Sequence, residues 1–127
     1  MKVLLVEDEV ELADVLARNL RVRGHDVRTE PTAEGAILDM AQEWPDVLIL
    51  DINLPDGTGW DVLRRLGERD REQVRVIVIS AAPVSQKRLA EFQPANWFLK
   101  PFPVEALARA VGNEPVPANA ERWQLDD

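Results

Sequence analysis

Short apolar runs that alternate with longer amphipathic stretches constrain the fold of this chain more than any other feature of its sequence. The runs are rich in β-branched residues, are too short for helices and do not alternate in polarity, which is typical of parallel strands covered on both faces. They comprise Val3–Val6, Val47–Leu50, Val76–Ile79 and Trp97–Leu99. A fifth and more polar segment, His25–Thr29, is predicted to form a strand at the edge of the same sheet.

Segments with the apolar spacing of amphipathic helices lie between these runs. The first extends from about Val10 to Leu20 and is followed by Gly24, a residue type that often follows a helix C-terminus. Thr32 is placed to cap a second helix. Three more helices are predicted over residues 59–66, 85–92 and 103–111. The alternation of strands and helices predicts an α/β fold with an open parallel sheet.

Composition narrows the class of protein. The 127 residues suffice for one domain, and apolar residues make up 46% of them, which is enough for one hydrophobic core. Cysteine is absent and His25 is the only histidine, so disulfide scaffolds, thiolate metal sites and histidine-cluster sites are excluded. Apolar stretches are far shorter than a membrane span, and acidic residues follow Val6 too soon for a signal peptide. We therefore expect a cytoplasmic protein without a membrane partner.

The charge distribution argues against nucleic acid as a direct partner. The formal net charge is −8, whereas phosphate backbones are bound by basic surfaces. We expect a folded domain over residues 1–111 and an acidic, proline-containing tail or linker over residues 112–127. The end of this tail either forms an extra turn held by Trp123 and Leu125 or begins a further segment.

Polar side chains follow four of the predicted strands. Glu7 and Asp8 follow the first run, Asp51 the second, Ser80 the third and Lys100 the fourth. Ligands of open α/β sheets bind at the carboxyl ends of strands, so we expect these groups to share one edge. Acidic residues after a strand can also have a purely structural role, because the dipole of the next helix stabilises negative charge at its N-terminus. A cluster of carboxylates, if formed, would attract a cation.

Four stretches together resemble the receiver domain of bacterial two-component response regulators. They are Leu4–Glu9, Leu50–Gly59, Ile79–Ala82 and Lys100–Phe102, in the order and at the separations typical of that family. The resemblance covers residues 1 to about 111. It implies a flavodoxin-like (βα)5 fold, with five parallel strands in the order 2-1-3-4-5.

The resemblance also implies a role for each polar residue. Asp51 would be the phosphoacceptor, and Lys100 would pair first with Asp51 and then with the phosphoryl group. Mg²⁺ would be held by the Asp8 and Asp51 side chains, the Asn53 backbone carbonyl and waters, with Glu7 acting mainly through water.

Two further positions correspond to the conformational switch of the family. Ser80 would donate a hydrogen bond to a phosphoryl oxygen, and Trp97 stands at the position of the switching aromatic residue. Because Ala81 and Ala82 leave room beside Ser80, we expect Trp97 to be packed inward before phosphorylation. The resemblance implies that the Lys100–Pro101 peptide bond is cis.

The implied function is a phosphorylation-driven switch that assists its own phosphorylation and dephosphorylation and is not otherwise an enzyme. A histidine kinase or histidine phosphotransfer protein would donate the phosphoryl group, and a downstream protein or output domain would read it. The resemblance leaves a homodimer open.

Two alternatives remain at the level of the sequence. A phosphatase of the haloacid dehalogenase type needs a second Asp two residues after its nucleophile, where this chain has Asn53. A phosphate-independent interaction module would be a degenerate receiver. The intact acceptor residues argue against it, whereas Pro94-Ala95-Asn96, in place of the usual Gly-Ala-Asp-like turn, leaves it open. Together with the slightly short span from Ser80 to Lys100, this departure predicts a fourth helix that is short, shifted or mobile.

Overall fold

The computed structural model describes residues 1–115, which form one five-stranded parallel sheet with helices on both faces. In chain order the elements are β1 (Lys2–Val6), α1 (Val10–Val22), β2 (Asp26–Glu30), α2 (Ala33–Gln42), β3 (Val47–Asp51), β4 (Asn53–Leu54), β5 (Gly57–Thr58), α3 (Gly59–Arg71), β6 (Arg75–Ser80), α4 (Gln86–Phe92), β7 (Asn96–Leu99) and α5 (Val104–Val111). The sheet has the order β2-β1-β3-β6-β7, and β4 pairs with β5 in a small hairpin. Because β6 and β7 are the fourth and fifth strands of the sheet, the predicted order 2-1-3-4-5 is confirmed.

The central strands are apolar throughout because both of their faces are covered. Along β3, Val47 and Ile49 face a cluster formed with α1 and α5. Leu48 and Leu50 face a second cluster formed with α2, α3 and α4. All five residues of β3 are buried, so polar side chains are left only where the strand ends.

The edge strand and the helix termini follow the sequence with small shifts. β2 begins at Asp26 rather than His25, and its polar residues are accommodated because it pairs on one side only. Thr32 accepts a hydrogen bond from the Gly35 amide at 2.9 Å and thus caps α2 as predicted. Gly24 follows α1 with a φ of 93°, a left-handed conformation that glycine adopts without strain.

The predicted helix over residues 59–66 is confirmed as the first part of α3, which is broken at Gly67 with φ 78° and ψ 163°. Beyond this break a further turn, which was not predicted, continues to Arg71. The apolar periodicity ends at the break, and the following turn is rich in charged residues. The β4–β5 hairpin was not predicted because two-residue strands carry no periodicity.

The fourth helix is short, as the sequence predicted, and is held against α3 by aromatic packing. It has seven residues, from Gln86 to Phe92, and Ser85 caps it. The Phe92 ring stacks on Trp60 of α3 with 5.1 Å between ring centroids. The Arg64 guanidinium lies 5.4 Å from the centroid of the same Phe92 ring. These contacts fix α4 on the face of the sheet that contains Trp97.

Residues 112–115 follow α5, and the rest of the predicted tail, including Trp123 and Leu125, lies outside the described residues. Within residues 1–115, no helix is both long and apolar enough to cross a membrane.

Gly59 allows α3 to begin directly against the strand that bears Asp51. A Cβ atom at this position would lie 2.6 Å from the Asp51 carbonyl oxygen and 3.0 Å from Leu50 Cγ. The Gly59 amide donates a hydrogen bond to the Ile52 carbonyl oxygen at 2.8 Å. The close approach therefore needs a residue without a side chain, and it fixes the backbone of Asp51.

Replacing Gly59 with alanine is expected to lower the free energy of unfolding by about 1–3 kcal/mol, because the new methyl group overpacks against backbone. Gly112→Ala is a suitable control, since its Cβ would meet no heavy atom closer than 3.5 Å. Urea denaturation of both variants measures the difference. Equal stability of Gly59→Ala and the wild type would contradict the close approach.

Candidate functional site

The strand register brings the predicted polar residues to one edge of the sheet. Val6 pairs with Leu50, Asp51 with Ile79 and Ser80 with Leu99, so the carboxyl ends of these strands lie side by side. The residues that follow them must emerge at that edge. The predicted clustering of strand-end groups is therefore what the sheet geometry produces.

The Lys100 ammonium lies at the centre of these groups. Its Nζ atom is 2.8 Å from Glu7 Oε1, 3.0 Å from Asp51 Oδ2 and 3.3 Å from Glu9 Oε1. The Lys100 amide donates a hydrogen bond to the Ser80 carbonyl oxygen at 2.8 Å, which fixes the lysine backbone beside β6. One cation thus joins carboxylates that follow β1 to the carboxylate that ends β3.

Two of these carboxylates are removed from solvent. The side chain of Glu7 is 0% exposed and that of Asp51 is 3% exposed. Buried charges are tolerated when they are paired, because an unpaired charge away from water carries a large desolvation penalty. The contacts with Lys100 are therefore a condition for burying these groups.

Glu7 has an electrostatically unusual environment. Burial raises the pKa of its carboxyl group to about 7, although the contact with Lys100 and the Glu9 amide act in the opposite direction. Its Oε2 atom accepts a hydrogen bond from the Glu9 amide at 3.0 Å. Its Oε1 atom is buried and has no aligned hydrogen bond, so its proximity to Lys100 is an ion-pair contact only.

Lys100 remains protonated in this environment. Burial acts to lower its pKa, but the contacts with Glu7 and Asp51 outweigh burial and raise the pKa above the ordinary value for lysine. The ammonium is therefore a permanent positive charge beside Asp51. The ammonium can exchange its ion pair with Asp51 for an ion pair with another anion that enters the site.

The carboxylates also suit a hard divalent cation. Glu7, Asp8 and Asp51 each offer one oxygen, and these oxygens all lie within 4.8 Å of one another. Asp8 is exposed. The backbone amide of Asn53 donates a hydrogen bond to Asp51 Oδ1 at 3.0 Å, which orients the Asp51 carboxylate. Carboxylate oxygens with access to water are the donors that Mg²⁺ prefers, so this donor set fits the ion.

Ser80 is the last residue of β6, at the edge of the sheet that carries the carboxylates, whereas Trp97 lies within β7 and pairs with Val78. The Ser80 hydroxyl donates a hydrogen bond to the Ala82 carbonyl oxygen at 2.6 Å and accepts one from the Ala82 amide at 3.2 Å. The Trp97 side chain is packed in the same core cluster as Trp60 and Phe92, and the residue is 9% exposed. The Ser80 hydroxyl is thus turned toward its own loop, and the Trp97 indole is packed in the core.

The Lys100–Pro101 peptide bond is cis, as the resemblance implied.

Glu9 was not predicted as a site residue. Its contact with Lys100 could not be read from hydrophobic periodicity, because Glu9 precedes α1 and is largely exposed. The available signal was that a third acidic residue, Glu9, directly follows Glu7 and Asp8 in the first family-like stretch.

Comparison with models of protein families shows to which family this chain belongs. The family model described as the response regulator receiver domain matches residues 3–112. The chain belongs to the response regulator receiver domain family. The predicted family, the receiver domain of two-component response regulators, is therefore confirmed.

Curated relatives of this receiver domain are transcriptional regulators. KdpE of Mycobacterium tuberculosis is 40% identical over 110 residues, a match that covers 84% of this chain and 48% of that protein. The probable transcriptional regulatory protein TcrX of Mycobacterium tuberculosis is 31% identical over 128 residues, covering 94% of this chain and 54% of TcrX. The chain thus spans about half the length of these relatives.

Solved structures show the same fold. The receiver domain of a putative LuxO repressor from Vibrio parahaemolyticus is 29% identical, with a TM-score of 0.79 over 88% of this chain and 87% of that one. TrrA from Thermotoga maritima, solved in complex with Mg²⁺ and BeF, is 22% identical, with a TM-score of 0.77 over 88% of this chain and 96% of that one.

The shared ammonium leads to a prediction on stability. At pH 8, above the pKa of about 7 that Glu7 has in the wild type, Lys100→Met should lower the free energy of unfolding by about 2 kcal/mol or more, because the Glu7 and Asp51 carboxylates would lose their buried counter-charge. Adding Glu7→Gln should recover part of the loss, since it removes one of the buried charges. Urea denaturation in the absence of divalent ions measures the cycle.

Lys87→Met serves as the control, because Lys87 is an exposed lysine on α4. It should change stability by less than about 0.5 kcal/mol. Additive effects of Lys100→Met and Glu7→Gln would show that these two side chains do not interact.

Proposed function

We propose that Asp51 accepts a phosphoryl group from a histidine kinase or a histidine phosphotransfer protein, and that the domain thereby acts as a two-state switch. The observation that carries this proposal is the position of the Asp51 carboxylate. Its Oδ2 atom contacts Lys100 Nζ at 3.0 Å and its Oδ1 atom accepts the Asn53 amide at 3.0 Å. A carboxylate held in this way is oriented as a nucleophile and lies beside a positive charge.

The transfer is an in-line displacement at phosphorus. An Asp51 carboxylate oxygen forms the new P–O bond while the P–N bond of the phosphohistidine breaks. The electron pair of the P–N bond passes to the imidazole nitrogen, which leaves with the donor protein. Lys100 then contacts the phosphoryl oxygens, where it offsets the negative charge that Asp51 has gained.

Asp8, Asp51 and the Asn53 backbone carbonyl would hold Mg²⁺, and Glu7 would act mainly through water. When bound, the ion supplies positive charge to the phosphoryl oxygens during transfer. The grouping of the three carboxylate oxygens within 4.8 Å supports this assignment. TrrA, a protein of the same fold, holds Mg²⁺ and BeF in its solved structure.

Ser80 and Trp97 would read the phosphoryl group. The Ser80 hydroxyl can exchange its bond to the Ala82 carbonyl oxygen for one to a phosphoryl oxygen, because hydroxyl donors rotate freely. This exchange releases the loop that follows β6 and biases it toward a second arrangement. The buried Trp97 would support the loop in both states.

We further propose that the domain is no enzyme for external substrates and works in the cytoplasm, where ATP supplies histidine kinases. Residues 1–111 would form the switch, and residues 112–127 would connect it to a downstream protein or an output domain. The length of KdpE and TcrX, about twice that of the matched region, supports an output domain. Asn53 in place of a general-acid Asp disfavours the phosphatase alternative.

Replacement of Asp51 with asparagine should abolish phosphorylation by acetyl phosphate or by a kinase, and the wild type should be labelled only when Mg²⁺ is present. The amide is a poor nucleophile, whereas the fold tolerates this nearly isosteric change. A phosphate-affinity gel measures the labelled fraction. Asp14→Asn, at an exposed position of α1, is the control and should be labelled normally. Persistent labelling of Asp51→Asn would refute the assignment.

The position of Trp97 predicts its fluorescence. In a variant that keeps Trp97 while Trp44, Trp60 and Trp123 become Phe, emission should be blue-shifted before activation, because the indole is already buried. Beryllofluoride with Mg²⁺ should change the emission maximum little. A red-shifted spectrum that moves to the blue on activation would show that Trp97 is exposed at rest.

A further inference from the structure

We propose that Glu9 is a specificity-determining residue that selects phosphodonors by charge, disfavouring donors with an anionic leaving group. The proposal rests on the function of Asp51 proposed above. It assigns to Glu9 a role in the approach of the donor, whereas Asp51 and Lys100 act on the phosphoryl group itself.

The Glu9 backbone is fixed at the edge of the site. Its amide donates a hydrogen bond to Glu7 Oε2 at 3.0 Å, and its carbonyl oxygen accepts one from the Ala13 amide at 2.9 Å. Its side chain reaches over the site, where Oε1 lies 3.3 Å from Lys100 Nζ. The position of this carboxylate is therefore a consequence of how α1 begins.

Glu9 occupies the solvent side of the Lys100 ammonium. The side chains of Glu7 and Asp51 are 0% and 3% exposed, whereas that of Glu9 is 65% exposed. Lys100 Nζ lies 3.0 Å from Asp51 Oδ2 and 3.3 Å from Glu9 Oε1, so a single ammonium group separates the exposed Glu9 carboxylate from Asp51. A donor that brings a phosphoryl group to Asp51 from solvent therefore comes within the electrostatic range of Glu9.

In-line displacement places the leaving group on the side of phosphorus opposite the attacking oxygen of Asp51. Because Asp51 lies in the interior, the leaving group points towards solvent, the side on which the exposed Glu9 carboxylate contacts Lys100. A negative charge that develops there is repelled by Glu9, whereas a positive charge there is attracted. Glu9 must also release Lys100 when the ammonium turns to the phosphoryl group.

Two small donors separate these effects. With acetyl phosphate, Asp51 forms a P–O bond, the P–O bond to the acetyl group breaks, and acetate leaves with the electron pair. With phosphoramidate, whose nitrogen is protonated, the P–N bond breaks and ammonia leaves with the electron pair. Both reactions give the same Asp51 acyl phosphate, so only the charge on the leaving side differs.

The experiment compares initial rates of Asp51 labelling by the two donors, with Mg²⁺, in the wild type, Glu9→Gln and Glu9→Lys. Glu9→Gln should raise the ratio of the acetyl phosphate rate to the phosphoramidate rate by about threefold, the size expected for one exposed charge. Glu9→Lys should raise it further. The differences between variants should shrink at about 0.5 M salt, because salt screens exposed charges.

Glu11→Gln is the matched control. It removes one carboxylate from the first turn of α1, where Glu11 is exposed, and should leave the ratio unchanged. Melting temperatures verify that the variants are folded. A ratio that is equal in the wild type, Glu9→Gln and Glu9→Lys overturns the role of Glu9 while labelling of Asp51 persists. If neither donor labels the wild type at Asp51, the proposed function fails as well.

Discussion

The ammonium of Lys100 is the interaction on which the functional end of this domain depends. Without it, the Glu7 and Asp51 carboxylates would be buried close together with no compensating charge, a costly arrangement in a medium of low polarity. With it, three strand ends are linked through one positive charge. The same ammonium is the group that can pair with the phosphoryl oxygens when a phosphoryl group is bound to Asp51. In the proposed function, stability at rest and chemistry on activation therefore depend on the same side chain.

The rest of the fold supplies the conditions for this interaction. A parallel sheet covered on both faces leaves its polar groups at the strand ends, and the register of β1, β3, β6 and β7 brings those ends together. The hydrogen bond from the Lys100 backbone amide to the Ser80 carbonyl oxygen holds the Lys100 backbone beside the end of β6. Gly59 lets α3 begin directly against the backbone of Asp51, so this backbone is held by α3 as well as by the neighbouring strands.

Apolar runs such as Val47–Leu50 were sufficient to predict the parallel sheet and the residues at its carboxyl edge, because such runs are typical of strands buried on both faces. The strand order was implied by the resemblance to the receiver family. Local signals also predicted the cap at Thr32. Other features depend on tertiary contacts and have no pattern in the sequence. The further turn of α3 after Gly67 has no apolar periodicity, and the Ser80 hydroxyl turns to Ala82 because of its loop. The contact of Glu9 with Lys100 joins residues far apart in the chain.

The role of Lys100 is tested most directly by a crystal structure of this domain with Mg²⁺ and beryllofluoride. We expect a beryllofluoride group on Asp51, with Lys100 Nζ within hydrogen-bond distance of a fluorine atom and no longer in contact with Glu9. A beryllofluoride group on another carboxylate, or a Lys100 that keeps its present contacts with Glu7, Glu9 and Asp51, would contradict it.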